Sequence, residues 1–250
     1  MAVTTISFVF LLLDKKPLRR LIAGFLFIFF GLALLITFSR GYWLATLIAF
    51  FSAFLVLPVR KKVSIMLFFL FFALGSILIL YLFFEDTLFS LFLAISDRFS
   101  SLDKLKVDIS MLNRMIETKA VWQLIKQNPI LGYGLGKTYV FLPLIEREMP
   151  TWYVHNAYVY FWFKTGLLGL LSLLLFYFAA IRNSLRCYFQ QTEMYYQALA
   201  LGIFSLLIAM AVVSITSPQF IQKDSLLIMA LGMGIVEVLN QKKLTTDIWK

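Results

Sequence analysis

The chain has 250 residues, of which 61% are apolar or aromatic and 14% charged, with 27 phenylalanines; soluble domains carry about 45 to 50% apolar and about 25% charged residues. That balance excludes a soluble globular fold. Lysine and arginine number 23 against 13 aspartates and glutamates, a net charge of +10. In so apolar a chain this marks basic loops between membrane spans rather than a nucleic-acid surface, and no nucleic-acid partner is expected. With Cys187 as the one cysteine, an intramolecular disulfide and a cysteine-rich metal site are excluded.

Residues 1–13 are apolar but, at about 20 Å as a helix, short for a bilayer. They lack the basic start and cleavage site of a signal peptide. Asp14-Lys15-Lys16-Pro17 reads as the cytoplasmic end of a preceding helix, so the expectation is the tail of a truncated span. Leu21–Phe38, Tyr42–Leu57, Val63–Phe84, Leu167–Ile181, Ala198–Ser214 and Leu226–Leu239 follow as spans. They are apolar on all sides, whereas barrel strands alternate, so the fold expected is an all-α integral membrane protein. It is a polytopic helical bundle of about six spanning helices plus a partial N-terminal one, forming a single membrane domain over 1–250.

Lys15, Lys16, Arg19, Arg20, Arg60, Lys61, Lys62, Arg182, Arg186, Lys242 and Lys243 fall in connections that alternate passes place on one face, which their charge makes cytoplasmic. Ser39-Arg40-Gly41, the segment 85–153 and the connection 218–224 then lie outside. Segment 85–153, roughly 70 residues, is a large extracytoplasmic loop, and loops of that size usually carry function. Within it Thr87–Ile95 is apolar enough to lie in the interface. Ser110–Gln127 reads as a helix with Met111, Met115 or Ile116, Ala120, Leu124 and Ile125 near helical spacing, Ser110 as N-cap and Asn128-Pro129 as the stop. The flexible run Gly132-Tyr133-Gly134-Leu135-Gly136 comes next.

Arg40 sits between two spans with almost no loop. Either it snorkels at a helix end, or the tight hairpin draws it below the headgroups, where an unpaired arginine costs roughly 2.5 to 3.5 kcal/mol and calls for an anionic partner. The amide of Tyr42 at the start of the next helix would add a donor to a phosphate. Arg114 either pairs with Glu117 in solvent or shares a site with Arg40. The stretch Leu131–Thr138 ends like a nucleotide-binding loop, but it has Leu131 where that motif needs glycine and is expected to face away from the cytoplasm, so nucleotide binding is rejected. Its glycines let helices pack closely or let backbone N–H groups approach a ligand.

His155, the one histidine, lies where the large loop returns to the membrane, in Tyr153-Val154-His155-Asn156-Ala157-Tyr158. An ordinary imidazole accepts a proton near neutral pH, so His155 is either a hydrogen-bonded interfacial residue or a general base. Asn156 would orient a hydroxyl or amide of a substrate. Glu146-Arg147-Glu148 carries its own cation and reads as solvated surface, no outward aspartate pair is present to hold a divalent ion, and metal-independent chemistry is expected. Trp152, Tyr153, Tyr158, Tyr160 and Trp162 suit an interfacial belt or a stacking surface for sugar rings.

Three pieces, SRGYWLA at Ser39–Ala45, NRMIETKAVWQLIKQNPILGYGLG at Asn113–Gly136 and VHNAYVYFWFKTGLLGL at Val154–Leu170, resemble in type, order and placement the O-antigen ligase and polymerase superfamily. These are bacterial membrane glycosyltransferases of cell-envelope and lipopolysaccharide assembly. The resemblance covers roughly residues 20–240 and, since those proteins have about twice as many spans, points to their C-terminal half. It implies transfer of a glycan from an undecaprenyl-diphosphate donor to a glycan or lipid-linked acceptor on the outer side of the bacterial cytoplasmic membrane. No nucleotide, metal or other cofactor would be used, and the partners would be membrane lipids and other polysaccharide-assembly proteins. Carried onto this chain, Arg40 and Arg114 become diphosphate ligands and His155 the general base, with Asn156, Gly132, Gly134 and Gly136 shaping the site. The competing readings are a polysaccharide or lipid-carrier flippase, disfavoured because the spans are nearly charge-free and the polar groups collect on the outer face, and a non-catalytic assembly protein.

Overall fold

The computed structural model describes residues 1–37, 39–63, 109–141 and 149–248. The chain divides into two compact units, Met1–Val56 with Met115–Lys250, and Leu57–Arg114. Of the second, a helical turn after Pro58 and the first residues of the helix that crosses into the larger unit are described. The expected span Val63–Phe84 beyond its first residue, the interfacial stretch Thr87–Ile95 and the acidic Glu146-Arg147-Glu148 lie outside the described residues.

The protein is an all-α membrane protein. In chain order its described helices are α1 (Ala2–Leu13), α2 (Pro17–Ile36), α3 (Arg40–Val56), α4 (Ile109–Gln127), α5 (Ala157–Gln190), α6 (Met194–Val213) and α7 (Lys223–Ile248). A short antiparallel hairpin, β1 (Tyr139–Phe141) and β2 (Met149–Thr151), separates α4 from α5, and a 3-10 turn, Gln219–Ile221, precedes α7. Among the described residues α2, α5, α6 and 223–241 of α7 are long and apolar enough to cross a membrane, while α1 and α3 are shorter apolar helices.

The layering follows from composition. Helix α6 is apolar on every side and is the most buried, with Leu201, Ile203, Leu206 and Leu207 at 0 to 1% exposure, as expected of a helix packed all round. Its Gly202 lets α1 approach so closely that a Cβ there would stand 3.3 Å from the Cα of Ile6. Helix α1 turns Thr4, Thr5, Ser7 and Val9 inward, small side chains suited to close helix contact in lipid. Helix α3 reaches α6 through Ala45, Ala49 and Ala53, each fully buried and spaced four apart. Helix α2, started by Pro17 in its first turn, buries Ala23 and leaves Leu21 and Phe25 exposed, as a lipid-facing helix does.

Arg19 and Arg20 of α2 and Arg182 and Arg186 of α5 lie toward one end of the larger unit. Arg19 pairs with Asp14 at 3.4 Å and lies over the ring of Tyr195 at the start of α6, 4.6 Å from its centroid. Beside them Gln191, just past α5, bonds the Leu239 carbonyl of α7, and Asn183 of α5 bonds Glu237. The other end carries the start of α3, the start of α5 and the end of α6. There the Ala157 N–H donates to the Ser214 carbonyl at 2.9 Å and the Tyr158 hydroxyl to that of Ala211 at 2.8 Å.

Two expectations shift in detail. Helix α4 already runs at Ile109, so Ser110 lies inside it rather than at its cap. Its buried face is Glu117, Val121 and Ile125, while Met115, placed on the apolar side by spacing, is 60% exposed. The span expected over Leu167–Ile181 is the middle of the longer α5, which breaks at Gly166.

Candidate functional site

The break in α5 builds the site. Gly166 has φ +69°, a left-handed conformation that leaves the carbonyls of Phe163 and Lys164 without their helical partners. The loop after α4 supplies them: the N–H of Tyr133 donates to the Phe163 carbonyl at 3.0 Å and that of Gly134 to the Lys164 carbonyl at 2.8 Å. The Leu167 N–H returns a bond to the Pro129 carbonyl at 2.9 Å, which also accepts from the Trp162 indole at 3.0 Å. Such close backbone contact needs glycine on both sides. A Cβ at Gly132, itself at φ +69°, would lie 2.8 Å from the Lys164 carbonyl oxygen, and one at Gly166 would lie 2.6 Å from the carbonyl carbon of Leu131. Of the two uses of the glycine run that sequence left open, Gly132 shows the close-packing one. Gly134 has φ +83°, and it and Gly136 are exposed with open space around the Cβ position.

This staple fixes α4 against α5. Val121 and Ile125 of α4 join Tyr139, Val154, Tyr160 and Phe163 in one buried cluster, and Trp122 meets Trp162 edge to face at 5.2 Å. Lys164, 1% exposed, donates its ammonium to the Lys137 carbonyl and lies against the rings of Phe163 and Tyr160. Tyr160, Tyr158 and Trp162 of the aromatic group are therefore engaged in packing, while Trp152 is 55% exposed and Tyr153 meets the His155 ring edge to face at 5.1 Å.

At the end of that cluster lies a carboxylate that spacing placed in solvent. Glu117 is 2% exposed. Its Oε2 accepts the backbone N–H of His155 at 3.1 Å and faces the ring Nδ1 at 2.9 Å. Its Oε1 is 2.8 Å from the Tyr139 hydroxyl, which is also 2.6 Å from the Tyr153 carbonyl. Burial, then the charge of Glu117, then the hydrogen bond to it push the Tyr139 phenol well above its ordinary value, so it stays protonated as a donor. A carboxylate only accepts, so Nδ1 carries the imidazole hydrogen and Nε2 keeps its lone pair. The His155 side chain is 43% exposed, against 3% for Glu117. The result is a half-open imidazole braced from behind by a buried acid.

Asn156 caps α5: its Oδ1 accepts from the N–H groups of Tyr158 at 3.0 Å and Val159 at 3.1 Å, which sets the angle at which His155 leaves the helix. Arg40 is exposed at the first position of α3. That turn joins the same end of the bundle as His155. The Tyr42 hydroxyl accepts from Gln219 at 2.8 Å, and a Cβ on Gly41 would stand 2.8 Å from the hydroxyl oxygen of Thr216, on the segment whose Ser214 carbonyl receives Ala157. Arg114 lies half-buried on α4, one helical turn before Glu117, in the smaller unit.

Sequence reasoning missed Glu117 and Tyr139. The available signal was the spacing of Glu117 with Val121 and Ile125, which puts one charge on the stripe that α4 buries.

The O-antigen ligase family model matches residues 24–174, more than half of the chain and inclusive of Arg40, Arg114, Glu117, the glycine run and His155. This chain belongs to the O-antigen ligase family. Over 72 residues it is 40% identical to an O-antigen ligase of Salmonella typhimurium, an alignment that covers 25% of this chain and 18% of that protein. The match thus spans about a fifth of the length of that ligase.

Proposed function

We propose that this O-antigen ligase family chain belongs to a cell-surface polysaccharide glycosyltransferase that moves a glycan from undecaprenyl diphosphate to an acceptor sugar hydroxyl, outside the bacterial cytoplasmic membrane. The observation that carries the proposal is the double grip of buried Glu117 on His155. It fixes the ring, fixes its tautomer and offers a counter-charge to the imidazolium that forms on proton uptake.

In the reaction the acceptor hydroxyl gives its proton to Nε2 of His155 as its oxygen bonds to the anomeric carbon of the donor sugar. The bond from that carbon to the diphosphate oxygen breaks, and its electron pair leaves with the lipid diphosphate. Negative charge grows on the leaving group in the transition state, so a fixed guanidinium lowers the barrier more than it tightens binding. Arg40, exposed at the first position of α3, takes this role, and Arg114 is the second ligand by family resemblance. Permanently charged, forked donors suit a diphosphate without a metal ion or a nucleotide. Trp152 and Tyr153, beside His155, offer ring faces to the acceptor sugar. The glycine loop shapes the site by holding α4 to α5, and Asn156 by starting α5.

The testing experiment places Glu117→Gln, His155→Ala and Arg40→Ala in the full-length protein and follows transfer from a synthetic lipid-diphosphate glycan. Each is expected to slow product formation about 100-fold or more at unchanged protein level; three variants as fast as wild type would overturn the assignment. Products that lengthen identify a polymerase, and products on a new acceptor a ligase.

A further inference from the structure

At the basic end, away from His155, α5 and α7 diverge around an open groove of about 760 Å³, a volume within the range of small-molecule sites. Its walls over the membrane-spanning turns are Leu175, Phe176, Phe178 and Met233, with Leu175, Phe176 and Phe178 each more than 60% exposed. Gly234 deepens it, since a Cβ at that position would meet nothing within 4 Å. Arg182 and Arg186 stand at the mouth, four residues apart on α5 and so on one face.

The charges at this mouth are unequal in their engagements. The one carboxylate on the groove, Glu237, is tied between the helices, accepting from Asn183 at 3.2 Å and from Gln241 at 3.1 Å. Neither arginine forms an ion pair or hydrogen bond among the described residues. Two unpaired guanidiniums over a strip of exposed phenylalanine and leucine complement a molecule with an anionic head and an apolar tail. We infer that the α5–α7 groove is a binding site for an anionic phospholipid of the leaflet at the basic end, its phosphate between Arg182 and Arg186 and an acyl chain along Phe176, Phe178 and Gly234. The inference rests on the membrane-spanning fold and is independent of the chemistry at His155. The two arginines, one turn apart on α5, offer the phosphate two positive charges.

The experiment uses the full chain, purified in detergent, stripped of lipid and titrated with phosphatidylglycerol or phosphatidylcholine under native mass spectrometry. Wild type is expected to hold one phosphatidylglycerol in preference to phosphatidylcholine. Arg182→Gln with Arg186→Gln should weaken that binding about 30-fold, from roughly a fivefold contribution of each arginine. Arg182→Lys with Arg186→Lys should keep most of it. Gly234→Phe should fill the groove and lower binding with both arginines intact. Equal binding of the two lipids to wild type overturns the proposal, as does binding undiminished in the glutamine pair. A dimer that Gly234→Phe dissolves also overturns it, because a second copy would then be the occupant.

Discussion

Glu117 takes hold of His155 twice through one oxygen, at the backbone N–H and at ring Nδ1, although the two residues are 38 apart in the chain. The backbone bond fixes where the ring starts and the ring bond fixes how it turns. With Tyr139 on the other oxygen, the carboxylate is enclosed by donors from the hairpin and from the start of α5. Burial of such a group is tolerable because these partners replace its water.

Replacing Glu117 with Gln keeps the shape but removes the charge. The amide oxygen stays where the His155 N–H and Nδ1–H need an acceptor, the NH₂ turns to the Tyr139 hydroxyl, and the imidazolium formed on proton uptake loses its counter-charge. Transfer is expected to fall about 10²- to 10⁴-fold in kcat with little change in KM. The His155→Ala, Glu117→Gln double variant should be no slower than His155→Ala alone, because the acid acts through the histidine. Single-turnover rates on a lipid-diphosphate glycan check both; additive losses would show that Glu117 acts elsewhere.

Tyr139→Phe separates bracing from chemistry. At neutral pH it removes the phenol from Glu117 and the Tyr153 carbonyl, a loss of about 1 to 3 kcal/mol of stability with a smaller loss of rate than Glu117→Gln. The pH dependence has a definite sign. The folded phenol titrates above its ordinary 10.0, so the folded state holds the proton that the unfolded chain releases as pH rises past about 10. Its share of stability is complete below that pH and is lost above it. Thermal unfolding in detergent between pH 9 and 11 should therefore fall more steeply for wild type than for Tyr139→Phe.

Helix positions were legible because hydrocarbon allows little but apolar helices, and the described α2, α3, α6 and α7 overlie the expected runs. Helix α5 was drawn too short because Lys164, Tyr160 and Gly166 interrupt its apolar run, and a lysine reads as solvated unless its contacts with Lys137, Phe163 and Tyr160 are known. His155 and Arg40 could be singled out by type and place. Glu117 could not, because its partners come from the hairpin and from α5, and an acid three residues after Arg114 has an obvious local mate. The hairpin itself has three-residue strands, one of them Met149-Pro150-Thr151, too short to show alternation.

Arg40 tests the leaving-group half of the mechanism. Arg40→Ala should cost about 10²- to 10³-fold in rate, the usual loss of one charge-stabilising donor. Arg40→Lys should recover part of it, since an ammonium keeps the charge but not the fork. Both rates, and that of wild type, are expected to be the same with and without chelator in the assay. A chelator-sensitive wild type would assign the diphosphate to a metal ion instead.

The glycine staple predicts an order of stability independent of any substrate. Gly166→Ala and Gly132→Ala each place a Cβ on backbone that cannot retreat, because Pro129, Tyr133 and Gly134 are bonded across that contact. The positive φ alone costs about 1 to 2 kcal/mol, and the overlap adds to it by forcing the loop away from Phe163 and Lys164. Separation of α4 from α5 would also withdraw Glu117 from His155, so these two variants should lose activity along with melting temperature. Gly136→Ala meets open space and should stay within about 0.5 kcal/mol of wild type. Thermal unfolding of the three variants in detergent checks the order. A Gly166→Ala protein as stable as Gly136→Ala would show that α4 and α5 are held together by something other than this backbone contact.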